Sequence, residues 1–175
     1  MFLREGRGWL KDKERNMAST ISAATLSVKI TESIKLNGIQ QGSTNTKTFA
    51  SINEISKRIM TITTNESTVA TFSGAVASAG HFNDSTVKYM RFTNYDDTNF
   101  ITLTFRNQDN DEVAIKLDAG QSFIWNSDND GGAVAVFNAT QDADAASDTA
   151  LGSLTNIQAD AASGTCDLEV FIASV

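Results

Sequence analysis

The chain has 175 residues, 41% apolar and 20% charged, with a formal net charge of −7 and no proline. That length suits one domain with a real core, and that balance argues against disorder; no apolar run approaches the ~20 residues a membrane-crossing helix needs. With one cysteine, Cys166, and one histidine, His81, an internally cross-linked scaffold is excluded and a histidine-built zinc site nearly so.

The charge is unevenly spread. Residues 1–16, MFLREGRGWLKDKERN, hold five Lys/Arg and three Asp/Glu, so that of the chain's fourteen and twenty-one, nine and eighteen remain from Met17 onward, a net of −9. The opening segment lacks the continuous apolar centre of a secretory signal. It reads as a flexible basic extension, followed by a single domain over residues 17–175. An acidic body repels phosphates, and no basic stripe with interleaved aromatics is present, so neither nucleic acid nor a membrane is an expected partner.

In chain order, Leu26, Val28, Ile30, Ile34 and Leu36 fall on even positions with only Glu32 interrupting, which predicts one long strand or a strand with a kink. Asn37-Gly38 is a hairpin-turn signal. The polar stretch IQQGSTNTKTF reads as a loop into a strand over Thr46–Ile52. Ile52, Ile55, Ile59 and Ile62 have helical spacing, yet Ile, Thr and Met crowd Ile59–Thr63 and favour a strand. Asn65-Glu66 turns the chain into Thr68–Phe72, and Ser73–Gly80 is a loop of small residues.

The clearest stretch is Val87–Trp125. Ile101, Leu103 and Phe105 alternate with Thr102 and Thr104, and Val113, Ile115 and Leu117 alternate with Ala114 and Lys116. Asn/Asp/Gly clusters between them bond their own backbone or supply positive φ, and so act as turns. Strands are expected over Val87–Thr93, Asn99–Arg106, Glu112–Asp118, Ser122–Asn126, Ala133–Asn138, Leu154–Ala159 and Cys166–Ala173, with one short helical turn within Gln141–Leu154. Many short strands at regular spacing predict an all-β chain, a two-sheet antiparallel sandwich, jelly-roll-like. Strand order does not follow from the pattern.

Few residues suggest chemistry. A Ser/His/Asp triad would need His81, which sits in GAVASAGHFND without a nucleophile elbow. Cys166 lies in phase with Leu168, Val170 and Ile172 and reads as a small buried side chain. Asn107, Asp109 and Asp111 share their spacing with Asn126, Asp128 and Asp130, and alternating strand directions place both loops at one end. Asn126, Asp128 and Asp130, followed by Gly131, match the opening of a calcium loop, but Phe137 stands where a closing glutamate belongs, so a solvated turn is the expected reading. Asp96, Asp97, Asp109, Asp111, Glu112 and Asp118 would be the acids of a glycan-cleaving enzyme; they sit in or beside turns, without the apolar surroundings that tune a catalytic acid. Tyr95 and Trp125 could stack on a sugar, although Trp125 and Phe123 share a strand face suited to the core. No catalytic residue, cofactor or metal is assigned.

The block KYMRFTNYDDTNFITLTF followed by VAIKLDAGQSFIW, the start MASTISAATLSVKITESIKLNG and the ending CDLEVFIASV together resemble small virion structural proteins of tailed bacteriophages, marine ones in particular. The resemblance covers nearly everything after Met17 and leaves residues 1–16 as a departure. It implies a non-enzymatic virion component, assembled in the host cytoplasm, that decorates or cements the head shell. Its partners would be the major capsid protein or other virion proteins and further copies of itself, about a three-fold axis. The alternatives are a carbohydrate-binding or receptor-binding module of a fibre or tail, and a glycan-cleaving enzyme. Contacts are expected at loop ends and sheet edges, with the terminal strand Cys166–Val175 as a candidate for pairing with a neighbour.

Overall fold

A computed structural model describes residues 21–74, 80–128, 133–134 and 154–175. The basic extension 1–16, most of the small-residue loop, Asp130 and Gly131, most of the strand expected from Ala133 and nearly all of Gln141–Leu154 lie outside the described residues. Ala133 and Val134 themselves are buried in a turn rather than a strand.

The described chain is all β. A leading hairpin contains β1 (Ala24–Thr31), β2 (Lys35–Leu36), β3 (Ile39–Gln40) and β4 (Thr44–Ile52). The body contains β5 (Glu54–Thr63), β6 (Ser67–Ser73), β7 (His81–Asn83), β8 (Val87–Asn94), β9 (Ile101–Asn107), β10 (Glu112–Leu117), β11 (Ser122–Asn126), β12 (Leu154–Ala161) and β13 (Thr165–Ser174). The polar stretch after Gly38 is thus not all loop, because its first residues close the hairpin as β3.

Two sheets form the body, ordered β11-β8-β13-β5 and β10-β9-β12-β6-β7. The pairs β9·β10, β8·β11, β6·β12 and β5·β13 are nested one inside the next along the chain, all antiparallel. This is a long double strand rolled up so that successive strands cross between two layers, the jelly-roll arrangement. The short β7 adds to the edge in parallel beside β6.

The inward rows follow the alternation in sequence. Met90 and Phe92 of β8, Leu103 and Phe105 of β9, Ile157 and Ala159 of β12, and Leu168, Val170 and Ile172 of β13 are fully buried between the sheets. Phe105 is central to this core, meeting Phe92 edge-on at 6.3 Å and Phe123 at 5.4 Å between ring centroids. Cys166 is buried in the same layer, and burial, together with the nearby Asp96 carboxylate, pushes its thiol upward, away from the reactive thiolate.

One end of the roll is tied by the residues from Thr93 to Asn99. Asn94 is fully buried; its side-chain amide donates to the carbonyls of Asn99 (2.8 Å) and Leu117 (3.1 Å), and its oxygen accepts from the Asp96 N–H (2.9 Å). Asp96 in turn accepts the N–H groups of Asn99 and Thr98, which hold its carboxyl below the usual carboxylate range. The end of β8, the start of β9, the end of β10 and, through the Asn94 N–H to Gln121, the start of β11 meet here. The opposite strand ends therefore share the other end of the sandwich, and with them the loops beginning at Asn107 and Asn126.

The C-terminal strand is not available to a neighbour as the sequence suggested. β13 lies inside its sheet, hydrogen-bonded to β5 on one side and β8 on the other over most of its length. Among the described strands, the edge positions belong to β5 and β11 in one sheet and to β10 and β7 in the other.

Candidate interaction surface

Past a register shift between Ala24 and Leu26, the leading hairpin keeps one register to its tip: Leu26↔Phe49 and Thr31↔Thr44 in β1·β4 continue as Lys35↔Gln40 and Leu36↔Ile39 in β2·β3. Two backbone bonds bridge the gap, Glu32 N–H to Ser43 (2.8 Å) and Gln41 N–H to Ile34 (2.9 Å). Asn37 and Gly38, with φ of 51° and 82°, close the tip as the left-handed two-residue turn that an Asn-Gly pair favours. Gly42 faces the opposite strand so closely that a Cβ there would stand 2.1 Å from the Glu32 carbonyl oxygen. Only glycine permits that approach.

A shared register makes the hairpin two-faced. Leu26, Val28, Ile30, Ile34 and Leu36 lie on one face together with Phe49 and Ile39, while Ser27, Lys29, Thr31, Thr44, Thr46 and Thr48 lie on the other. At its body end the apolar face packs on the outer face of the four-stranded sheet. Leu26, Val28, Phe49 and Ile52 meet Tyr89, Ile124, Phe171 and Ala173 in a second core, with Phe49 and Tyr89 rings 6.0 Å apart. Lys47 adds an ion pair to Asp128 beyond the end of β11.

Beyond that seat the same face opens to solvent among the described residues. Ile30, Ile34, Leu36 and Ile39 are each between 50 and 65% exposed. Burying one such side chain is worth about 1.5–3 kcal/mol, so four in a row on one face form a patch of the kind that marks a contact surface.

The sheet beneath is only partly covered. Its outward side chains form cross-strand rows from β5 to β11: Ile55, Ala173, Tyr89 and Asn126; then Lys57, Phe171, Arg91 and Ile124; then Ile59, Glu169, Thr93 and Ser122. The hairpin sits over β11, β8 and β13, and β5 contributes nothing to that packing. Ile55 and Ile59 are 57% and 59% exposed on the sheet's bare margin, whereas their even-numbered neighbour Ile62 faces the core. The spacing that imitates a helix in this segment is that of a strand apolar on both faces.

Glu169 lies in the floor of this margin. It is buried, and burial alone would push its carboxyl upward, but hydrogen bonds from Lys57 and Tyr95 and the charges of Arg91 and Lys57 outweigh that and hold it below the usual glutamate range. Lys57 Nζ lies 3.1 Å from one carboxylate oxygen and Arg91 pairs with the other while its guanidinium stands over the Phe171 ring. The alternating polar positions of β13 gave no hint of this pair, since its partners come from β5 and β8. An open cleft of about 170 Å³ separates β1 from Arg91 and Phe171 beside it.

The residues singled out from sequence are scattered over the sandwich. Trp125 and Phe123 face inward, their rings 5.5 and 5.4 Å from that of Phe105, which removes Trp125 from any sugar platform; Tyr95 is exposed. Of the calcium-loop residues, Asn126 ends β11 opposite Tyr89 and Asp128 pairs with Lys47, and Asp130 is outside the described residues. Asn107 is buried and its side-chain oxygen accepts the N–H groups of Asp109 and Asp111, both at 2.9 Å, so this acidic loop is a self-bonded turn. Among the remaining carboxylates Asp97 accepts from Thr98, Glu112 from Arg106 and Asp118 pairs with Lys116. No group of three or more metal-ligating side chains occurs among the described residues. His81 begins β7 opposite Thr71. No family model, no curated protein and no solved structure matches the chain.

Proposed function

We propose that the chain is a non-enzymatic structural protein of a bacteriophage virion that decorates or cements the head shell, with the major capsid protein and further copies of itself as partners. The observation that carries this reading is the hairpin whose apolar face runs off the body that seats its first half. A rigid jelly roll with such an arm works by occupying neighbouring surfaces, and the resemblance of Lys88–Phe105, Val113–Trp125 and the two ends of the domain to phage virion proteins gives that work a setting. The contacts fall on the arm and on the exposed edges, β5 foremost, since β13 is paired on both sides.

The test is its place in the particle. Particles purified from an infected culture should contain the chain in many copies per head, and cryo-electron microscopy should show a jelly roll with a projecting hairpin at regular positions on the shell. Particles that lack the chain would overturn the proposal.

A further inference from the structure

The exposed half of the arm and the bare margin of the sheet carry matching patterns. Along the arm the row reads Ile30, Glu32, Ile34; along β5 it reads Ile55, Lys57, Ile59, with the same alternate spacing and opposite charge at the centre. Each row spans about 13 Å at the rise of a β-strand. The outer face of this sheet already accepts the hairpin's apolar face within one chain, through Leu26, Val28 and Phe49, so the exposed row continues an existing interface. The cleft beside β1 leaves room along the same face.

We infer that the distal arm of one copy docks, apolar face down, on the β5 margin of the next copy, setting Ile30, Glu32 and Ile34 against Ile55, Lys57 and Ile59. The occupant is a second copy of this chain because both complementary surfaces are on it: hydrophobic rows of equal length meet, and the Glu32 carboxylate reaches an ammonium, that of Lys57, which is 58% exposed even while it pairs with Glu169. The two surfaces differ from each other, so the contact is head-to-tail and generates a ring where the rotation closes. This deepens the assembly proposed above and rests on it only for the existence of a multimer.

Full-length chains carrying Ile34→Cys and Ile59→Cys separately test the contact, since both positions are exposed and the native Cys166 is buried. A short bismaleimide should link the two variants into a dimer when they are mixed and should link neither variant alone. Cross-linking of the Ile34→Cys chain with itself, or no cross-link in the mixture, would overturn the inference. In parallel, sedimentation of the unaltered chain should show a multimer, and Ile34→Glu should reduce it to a folded monomer with an unchanged far-ultraviolet circular dichroism spectrum. A monomeric wild type, or a multimer indifferent to Ile34→Glu, would count against arm docking. Those outcomes leave location in the virion untouched, and absence from purified particles would leave a self-assembling arm untouched, so the two failures are separable.

Discussion

The two ends of the same alternation make an instructive contrast. In β9 and β13 every second side chain is apolar and every one of those is covered by the facing sheet. In the hairpin the alternation is as regular, yet cover stops after Val28, and Ile30, Ile34 and Leu36 stand in water. The pattern in the chain is the same and the energetics are opposite. A period-two apolar row declares that a face is to be buried; whether the chain buries it alone depends on what the fold brings opposite.

Substitutions can break this contrast at different depths. The largest effect belongs to the closed core. Phe105→Ala should cost about 3–5 kcal/mol, the usual range for a large buried ring, read as a lower urea midpoint; removing Leu168–Val175 should prevent folding outright, because it deletes the central partner of both β5 and β8. Next comes the tie at the end of the roll: Asn94→Ala leaves the Asn99 and Leu117 carbonyls and the Asp96 N–H without their partner and should cost about 2–3 kcal/mol, with a cooperative transition preserved.

The margin of the outer face beside β5 can be probed through pH. The folded-state pKa of Glu169 is lowered, so its contribution is complete above the unfolded-state value, ordinarily 4.5, and is lost as the pH falls through the lower folded-state value. Glu169→Gln should therefore melt below wild type at neutral pH, with the gap closing in acid. A gap that persists unchanged at low pH would mean that the charge on Glu169 contributes nothing. Asp96 titrates in the same direction, which the comparison with the Gln variant removes.

Smaller effects are expected on the arm. Gly42→Ala forces the hairpin strands apart at Glu32, and should abolish hydrogen-exchange protection of the Gln41 and Glu32 amides while moving the global midpoint by no more than about 1 kcal/mol. Leu36→Ser at the exposed tip should change the unfolding free energy of the isolated chain by less than about 0.5 kcal/mol; a loss as large as that of a core residue would show that the tip is seated on its own body in solution.

Much of this molecule is legible in its residues. Asn37-Gly38 turns as its backbone chemistry requires, Asn107 and Asp96 bond the N–H groups just after them, and the body strands other than the short β7 fall within a few residues of the apolar runs that announce them. The stretch Thr93–Asn99, so distinctive in sequence, is distinctive because Asn94 and Asp96 each have specific backbone partners at a crossing between sheets. The interaction surface was harder to read. Ile55 and Ile59 offered only a helix-like spacing within a segment whose β-branched residues favour a strand, and the cluster around Glu169 draws one residue from each of β5, β8 and β13.

Alternation, turn chemistry and composition by themselves determined that this chain is a β protein, where it bends, and which side chains share a face, because each of those depends on neighbours a few residues apart. Only the tertiary structure decided that β13 lies inside its sheet, that the strands nest as a jelly roll, and that one apolar row divides into a seated half and an open half. Those outcomes depend on which distant strand lies opposite, and a side chain's own segment carries no record of the face it will meet.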